Sequence, residues 1–482
     1  MGYLCCISGR ETAMDNLNER IKQAESGDAE AQFDVAWHIV WGDQSEAIEP
    51  DWLERAIDYF ERAAVQGHGD AMLDLGAMYS TGRGVEQDKG KAFYWFSKAA
   101  EILHPKAFRC LGYWLGIPIT TGYLDPIIDN ADYKSAFNYF LKGAILGEQN
   151  SLYELGDLYF SGKYVDVDQT FAFKLYEQSY DIIDYIEDDS YADVCLRLGE
   201  CYYRGIGTGQ DKGAARNYLT EAVNGYELRI ERSDPLENVM GGYNRAKFLV
   251  GRLDSNKIIE QTVVARKKND SGHEDFLSSD LLVFPEPAYP IEELERLKLE
   301  NPVLDAFTGK PLFADELSSA EQGDCAAMYH IAFYCFNRYS KEDNSKLMID
   351  FALYYYHKAI REGYRGAMYN LGSIYYHGDG GVAADKNKAF SLYHYSDATL
   401  AQNELGVIFA NGEVVPQDYE RAFKCFAKGA LCQTPLRYAA LANLATMYQK
   451  GIYVGNDTKF ADYLMKLSEK AKREKDQTER DV

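Results

Sequence analysis

Residues Ala71–Ala100 read AMLDLGAMYSTGRGVEQDKGKAFYWFSKAA, and this stretch decides the fold. Its skeleton is Leu-Gly-x-x-Tyr-x-x-Gly, beginning at Leu75, followed by Asp88 and then Ala92. The skeleton recurs along the chain with small variations. A pattern with so many fixed offsets indicates one structural unit repeated many times.

The chain carries six good copies of the skeleton. They begin at Leu75, Leu155, Leu198, Leu371, Leu405 and Leu444. The fourth copy has one additional glycine in its turn, and in the last copy Ala445 replaces the first glycine. Gly156 and Gly199 are 43 residues apart (199 − 156), and Gly372 and Gly406 are 34 apart (406 − 372). These periods are typical of stacked helical pairs.

Each position has a physical role in two antiparallel helices joined by a tight turn. Leu75 and Tyr79 fall on one helical face, and Gly76 between them lets the second helix approach closely. Gly82 ends the first helix with the positive φ that a C-terminal cap requires. Asp88 caps the second helix, whose packing stripe begins at Ala92. One pair cannot bury its own stripe, so the pairs must stack, and we predict an all-α fold, an α/α solenoid of antiparallel helix pairs.

The solenoid is predicted to have two parts and one interruption. Residues 1–14 form a tail, residues 15–250 the N-terminal solenoid, and residues 321–482 the C-terminal solenoid with a capping helix. Between 251 and 320 the pattern is absent and five of the twelve prolines collect, which predicts one irregular insert. A widened turn follows Gly112.

Charge narrows the class of partner. The 482 residues include 51 basic and 75 acidic side chains, for a net charge of −24. This charge disfavours nucleic acid and anionic lipid and favours a basic or neutral protein or peptide partner. The alternative interpretation is that the charge only keeps a surface rich in tyrosine soluble.

Motifs for chemistry are missing from the sequence. The eight histidines and nine cysteines show no metal-ligand spacing, and neither a nucleophile elbow nor a complete phosphate loop occurs. Gly205-Ile206-Gly207-Thr208-Gly209 occupies a repeat turn and is interpreted as structural. We therefore predict no catalytic residues, no metal, no cofactor and no enzymatic activity.

Cysteine usage and hydropathy bear on location. The cysteines resemble reduced thiols, and no apolar stretch is long enough to cross a membrane, so we predict a cytoplasmic protein. Gly2, Cys5 and Cys6 suggest lipidation, but Cys6 stands where a myristoylation motif needs Ser or Thr. The alternatives are a plain tail or translation from Met14.

The repeat resembles the Sel-like repeats, a subclass of the tetratricopeptide-like solenoids. Ala71–Ala100 reproduce the pattern A-x-x-x-L-G-x-x-Y-x-x-G-x-G-V-x-x-D-x-x-K-A-x-x-W-F-x-K-A-A almost throughout. The resemblance covers most of the chain outside the tail and the insert, and it implies a right-handed superhelix. It also implies an adaptor or scaffold that assembles protein complexes, in bacteria often in signalling, host interaction or envelope processes.

The resemblance further implies where a partner binds. In related tetratricopeptide folds, the residue before the Leu-Gly pair points into the concave groove. We call the residues at this position the column: Asp74, Glu154, Arg197, Asn370, Glu404 and Asn443. The hypothesis is that the carboxylates hold a basic segment while Asn370 and Asn443 hold peptide backbone.

Other interpretations remain open at this point. The column is also compatible with an ordinary solvated helix face. The chain is also compatible with an immunity or regulatory protein that neutralises one dedicated partner through its acidic surface, and with a hydrolase whose site is not recognisable from sequence.

Overall fold

The structure is a computed structural model. It describes residues 19–41, 50–114, 132–183, 190–232, 236–259, 314–342, 346–396 and 398–481. The predicted tail, the widened turn after Gly112 and most of the insert lie outside these residues. Within them the regular structure is helical, with no strand.

The chain divides into two compact units, unit 1 at 1–267 and unit 2 at 268–482. After a helical segment at 19–25, the helices of unit 1 are α1 Ala29–Trp41, α2 Pro50–Val65, α3 Gly69–Thr81, α4 Lys89–Glu101, α5 Pro105–Trp114, α6 Tyr133–Ile145, α7 Gln149–Ser161, α8 Gln169–Ile182, α9 Tyr191–Arg204, α10 Lys212–Glu231 and α11 Leu236–Ile259. Those of unit 2 are α12 Ala314–Glu321, α13 Cys325–Glu342, α14 Lys346–Arg361, α15 Gly366–His377, α16 Lys386–Tyr395, α17 Thr399–Asn411, α18 Tyr419–Leu431, α19 Tyr438–Lys450 and α20 Thr458–Asp481. From α1 to α10, and again from α13 to α20, successive helices pack as pairs, which confirms the predicted fold class.

The two capping residues of the motif act as predicted. Gly82 adopts φ 74° and ψ 21° at the end of α3, and its N–H donates to the Met78 carbonyl. Asp88 accepts a hydrogen bond from the Lys91 N–H at 3.0 Å, and its own N–H donates to the Tyr79 carbonyl at 2.9 Å. The side chain of Asp88 therefore caps α4, and its backbone N–H connects α4 to α3. The corresponding residues of the other five copies make the same contacts.

The glycine that follows the leucine allows the two helices of a pair to touch. A Cβ atom built on Gly76 would lie 2.4 Å from the ring of Phe96, and one on Gly406 would lie 2.4 Å from the ring of Phe426. Both distances are too short for any side chain. The predicted packing stripe of the second helix is therefore buried directly against the backbone of the first.

The turn between the helices presses on the second helix of the preceding pair. A Cβ on Gly207 would lie 2.2 Å from the Gln169 carbonyl oxygen, so this turn has no room for a side chain. At the same turn position Tyr164 has φ 68°, and its ring lies 5.2 Å from that of Phe137, between ring centroids. Tyr453 repeats the arrangement with φ 67° and with Phe423 at 5.7 Å. Glycine or tyrosine thus occupies the left-handed position according to what the preceding helix presents.

Helical structure extends into both ends of the predicted insert. Helix α11 continues to Ile259, beyond the predicted boundary at 250, because its apolar spacing at Ala246, Leu249 and Leu253 continues and these side chains are buried. Helix α12 begins at Ala314. The irregular insert stays a prediction for residues 260–313, which lie outside the described part of the chain.

The first helices of successive pairs approach one another directly. Helix α5 contacts α7, α9 contacts α11, and α17 contacts α19, whereas second helices make no contact of comparable extent in the described residues. Elements on the inside of a curved stack lie closer together than those on the outside. Within each unit, the side formed by the first helices is called the inner face below.

Candidate functional site

The column lies on the inner face, one residue on each of six first helices. Arg197 is buried, with 3% of its surface exposed, and the other five residues are half-buried. None of the six column residues is fully exposed to solvent. The contacts of each residue decide what it can do.

Arg197 forms an ion pair with a neighbouring repeat. Its Nε lies 2.8 and 3.0 Å from the two carboxylate oxygens of Asp157 on α7, and its guanidinium lies 5.4 Å from the ring centroid of Tyr153. Tyr176 of α8 also donates to Asp157, at 2.7 Å. The Arg197 side chain is therefore committed to joining α9 to α7.

Glu154 meets a tyrosine instead of a cation. The hydroxyl of Tyr113 on α5 donates to Glu154 Oε1 at 2.8 Å, and that hydroxyl lies 3.3 Å from the hydroxyl of Tyr153. Burial, with the neighbouring Asp157 carboxylate as second cause, raises the pKa of Glu154 to about 7. At neutral pH this side chain is therefore partly protonated.

Two further ion pairs lie in the same part of unit 1, and the sequence interpretation missed both. Asp193 of α9 accepts from the hydroxyl of Tyr226 at 2.6 Å and from Arg229 at 2.9 Å, both on α10. Glu200 of α9 accepts from Nε of Arg245 on α11 at 2.6 Å. Their spacing of about one repeat was the only sequence signal that could have revealed these pairs.

Asp74 differs from the other column residues of unit 1. It forms no ion pair or side-chain hydrogen bond with any described residue, and Asp70 lies one turn before it. Burial, then the Asp70 carboxylate, raises the pKa of Asp74 to about 7, against the opposing effect of Lys106. Asp70 itself is paired with His104 of the next repeat, at 3.4 Å.

In unit 2 the two asparagines of the column form hydrogen bonds with uncharged groups, one with a tyrosine hydroxyl and one with another side-chain amide. Asn370 of α15 donates to the hydroxyl of Tyr329 on α13 at 3.1 Å. Asn443 of α19 donates to Oδ1 of Asn403 on α17 at 2.8 Å. Glu404 accepts from the Asn403 amide at 3.3 Å and makes no ion pair within the described residues.

The arrangement therefore joins repeats along the inner face. Four of the six column residues bond to the first helix of the preceding pair: Glu154, Arg197, Asn370 and Asn443. The carboxylates of Asp74 and Glu404 form no ion pair among the described residues, although Lys106 acts on Asp74 from a longer distance. These two are the column positions most available to a partner's positive charge.

Other side chains that could bind a metal or take part in a reaction are scattered over the described residues. Within the described ranges, no cluster of three His, Cys, Asp or Glu side chains has the geometry to hold a metal ion. The seven cysteines found there are free thiols. Among the described helices, none has the length and apolar character needed to span a bilayer.

Comparison with known proteins gives a family and several relatives. The family described as Sel1 repeat matches nine segments: 29–68, 69–101, 113–148, 149–181, 192–225, 325–364, 366–396, 399–433 and 439–468. Each segment overlaps one of the nine helix pairs, and the segment 113–148 includes only the last two residues of α5.

A curated relative is the ERAD-associated E3 ubiquitin-protein ligase component HRD3B of Arabidopsis thaliana, 33% identical over 137 residues. The match covers 28% of this chain and 20% of the relative, so the chain spans about a fifth of the relative's length.

Solved structures with similarity include two bacterial proteins. One is c5321, a protective antigen of uropathogenic Escherichia coli with an SLR fold, at 22% identity and TM-score 0.36, covering 94% of this chain and 90% of that chain. The other is the immunity protein Pa5087 of Pseudomonas aeruginosa, at 21% identity and TM-score 0.30, covering 47% and 83%.

Proposed function

The chain belongs to the Sel1 repeat family, whose repeats generally serve in protein-interaction adaptors, and on that premise we propose that its inner face binds a basic segment of a partner protein. The observation that supports this most is the state of Asp74 and Glu404. Both are half-buried carboxylates on first helices, and neither forms an ion pair within the described residues. A half-buried carboxylate without a cation gains most from a partner that supplies one.

Overall charge supports the same class of partner. The net charge of −24 attracts basic surfaces and accelerates their association at low ionic strength. The other column residues support the proposal less directly. Because Arg197 is paired with Asp157, we do not assign it to the partner, whereas Asn370 and Asn443 keep carbonyl oxygens that can accept from a peptide backbone.

The free thiols are compatible with a reducing compartment, and we keep cytoplasmic location as part of the proposal. We also propose that the protein acts by binding and not by catalysis. A dedicated inhibitory role and a hydrolase remain the alternatives that experiment must separate.

The test is affinity capture from native lysate at low and high salt, with partners identified by mass spectrometry. Asp74→Lys and Glu404→Lys are compared with Asp58→Lys, which reverses an exposed charge on the second helix α2. We expect a basic partner that is lost at high salt and with either inner-face variant, but kept with Asp58→Lys. Equal capture by all variants would refute the inner-face proposal. Absence of any partner would make a small-molecule substrate screen the next step.

A further inference from the structure

Where α5, α7 and α9 meet, one carboxylate has no ion pair among the described residues. Four carboxylates of this part of unit 1 each have an arginine: Glu148 with Arg109, Asp157 with Arg197, Asp193 with Arg229, and Glu200 with Arg245. Glu154 belongs to the same network and bonds only to tyrosine hydroxyls. The network therefore carries one excess negative charge whenever Glu154 is ionised.

The surroundings of Glu154 cannot supply the missing charge. The titratable and charged groups on the helices around it include Arg109 and Tyr113 of α5, Lys142 of α6, Tyr153 and Asp157 of α7, Tyr176 of α8, and Asp193 and Arg197 of α9. Arg109 is paired with the buried carboxylate of Glu148 at 3.7 Å. Arg197 is bound to Asp157 through two contacts at 2.8 and 3.0 Å. The ammonium of Lys142 lies over the ring of Phe108, 5.7 Å from its centroid.

From this geometry we propose that protonation of Glu154 strengthens the contacts between the third, fourth and fifth helix pairs of unit 1. Neutral Glu154 leaves the junction of α5, α7 and α9 charge-balanced while Oε1 still accepts from Tyr113. Ionised Glu154 places a second carboxylate one turn from Asp157 in a half-buried site, where Arg197 is already paired with Asp157. The contacts among these three helices are therefore more stable at pH 6 than at pH 8. This inference does not depend on the proposed partner.

The expected size of the effect follows from linkage. The folded-state pKa of Glu154, about 7, lies above its ordinary value of 4.5. The folded junction therefore binds more protons than the open one, and its stability falls as pH rises through this window. Between pH 6 and pH 8 the equilibrium constant for opening should rise about tenfold because of this one group.

The measurement is hydrogen exchange of the full-length protein followed by mass spectrometry at pH 6 and pH 8, with rates corrected for intrinsic exchange. We expect peptides from α7 to lose about tenfold in protection at pH 8, and Glu154→Gln to remove that loss. Peptides from α17 in unit 2 serve as internal reference. Glu413→Gln is the control variant, because hydrogen bonds and the Lys386 ion pair lower the pKa of Glu413 to about 2, and it stays ionised at both pH values.

A second variant keeps the test decisive if Glu154→Gln does not fold. Tyr113→Phe removes a hydrogen bond that favours the ionised form, so the loss of α7 protection between pH 6 and pH 8 should become larger than in the wild type. The same pH dependence in Glu154→Gln as in the wild type, or an unchanged one in Tyr113→Phe, would overturn the proposal.

Discussion

The inner faces of the two units use the same repeat positions for different chemistry. In unit 1, contacts between successive first helices include ion pairs, such as Asp157 with Arg197. In the part of unit 2 that the structure describes, the column contacts between first helices are neutral, such as Asn403 with Asn443. The core motif is the same in both, so the backbone geometry does not dictate the column. The difference teaches that the polar side chains of the column serve first to join neighbouring repeats.

The largest expected difference between the units comes from breaking an ion pair in unit 1. Arg197→Met should destabilise unit 1 by about 3–5 kcal/mol, because it leaves Asp157 without its cation in a half-buried site. Urea unfolding followed by tryptophan fluorescence measures this, since all five tryptophans lie between residues 37 and 114 of unit 1. Lys22→Met removes an exposed ion pair of unit 1, with Glu19, as the control and should change nothing measurable. A small effect of Arg197→Met would mean that the ion pair is dispensable and the contrast between the units is superficial.

The next effect should be equal in the two units. Gly76→Ala and Gly406→Ala each force a Cβ to within 2.4 Å of an aromatic ring, and each should cost about 1–3 kcal/mol. Gly251→Ala, where a Cβ meets nothing within 4 Å, should instead stabilise helix α11 slightly. Circular dichroism during urea unfolding reports both units. Unequal costs for the two glycines would show that the pairs of unit 1 and unit 2 are packed differently after all.

The smallest effect is expected from the neutral column. Asn443→Ala should cost unit 2 about 1 kcal/mol, the net value of one hydrogen bond between uncharged groups. A double-mutant cycle with Asn403→Ala, measured by circular dichroism, isolates the contribution of the contact. A coupling energy as large as the cost expected for Arg197→Met would contradict the distinction between charged and neutral inner faces.

The sequence predicted the fold well but not the contacts between repeats that the column residues make, for a physical reason. Gly76, Gly82 and Asp88 act within one pair, over a few residues, so their roles can be derived from local helix geometry. The contacts of Arg197 and Glu154 reach a residue about 40 positions away, and their pKa values and partners depend on how one pair stacks on the next. The sequence alone does not distinguish a polar inner-face residue that contacts a neighbouring repeat from one that is free to contact a partner.

The turns described above limit how such a chain can evolve. Gly207 is pressed against a helix backbone, whereas Tyr164 and Tyr453 cover a phenylalanine of the preceding pair. Each turn is therefore fitted to the repeat before it, and a repeat copied to a new place would arrive with a turn made for a different neighbour. A designer who shuffles the repeats of this chain should therefore exchange each of these turns together with the preceding second helix.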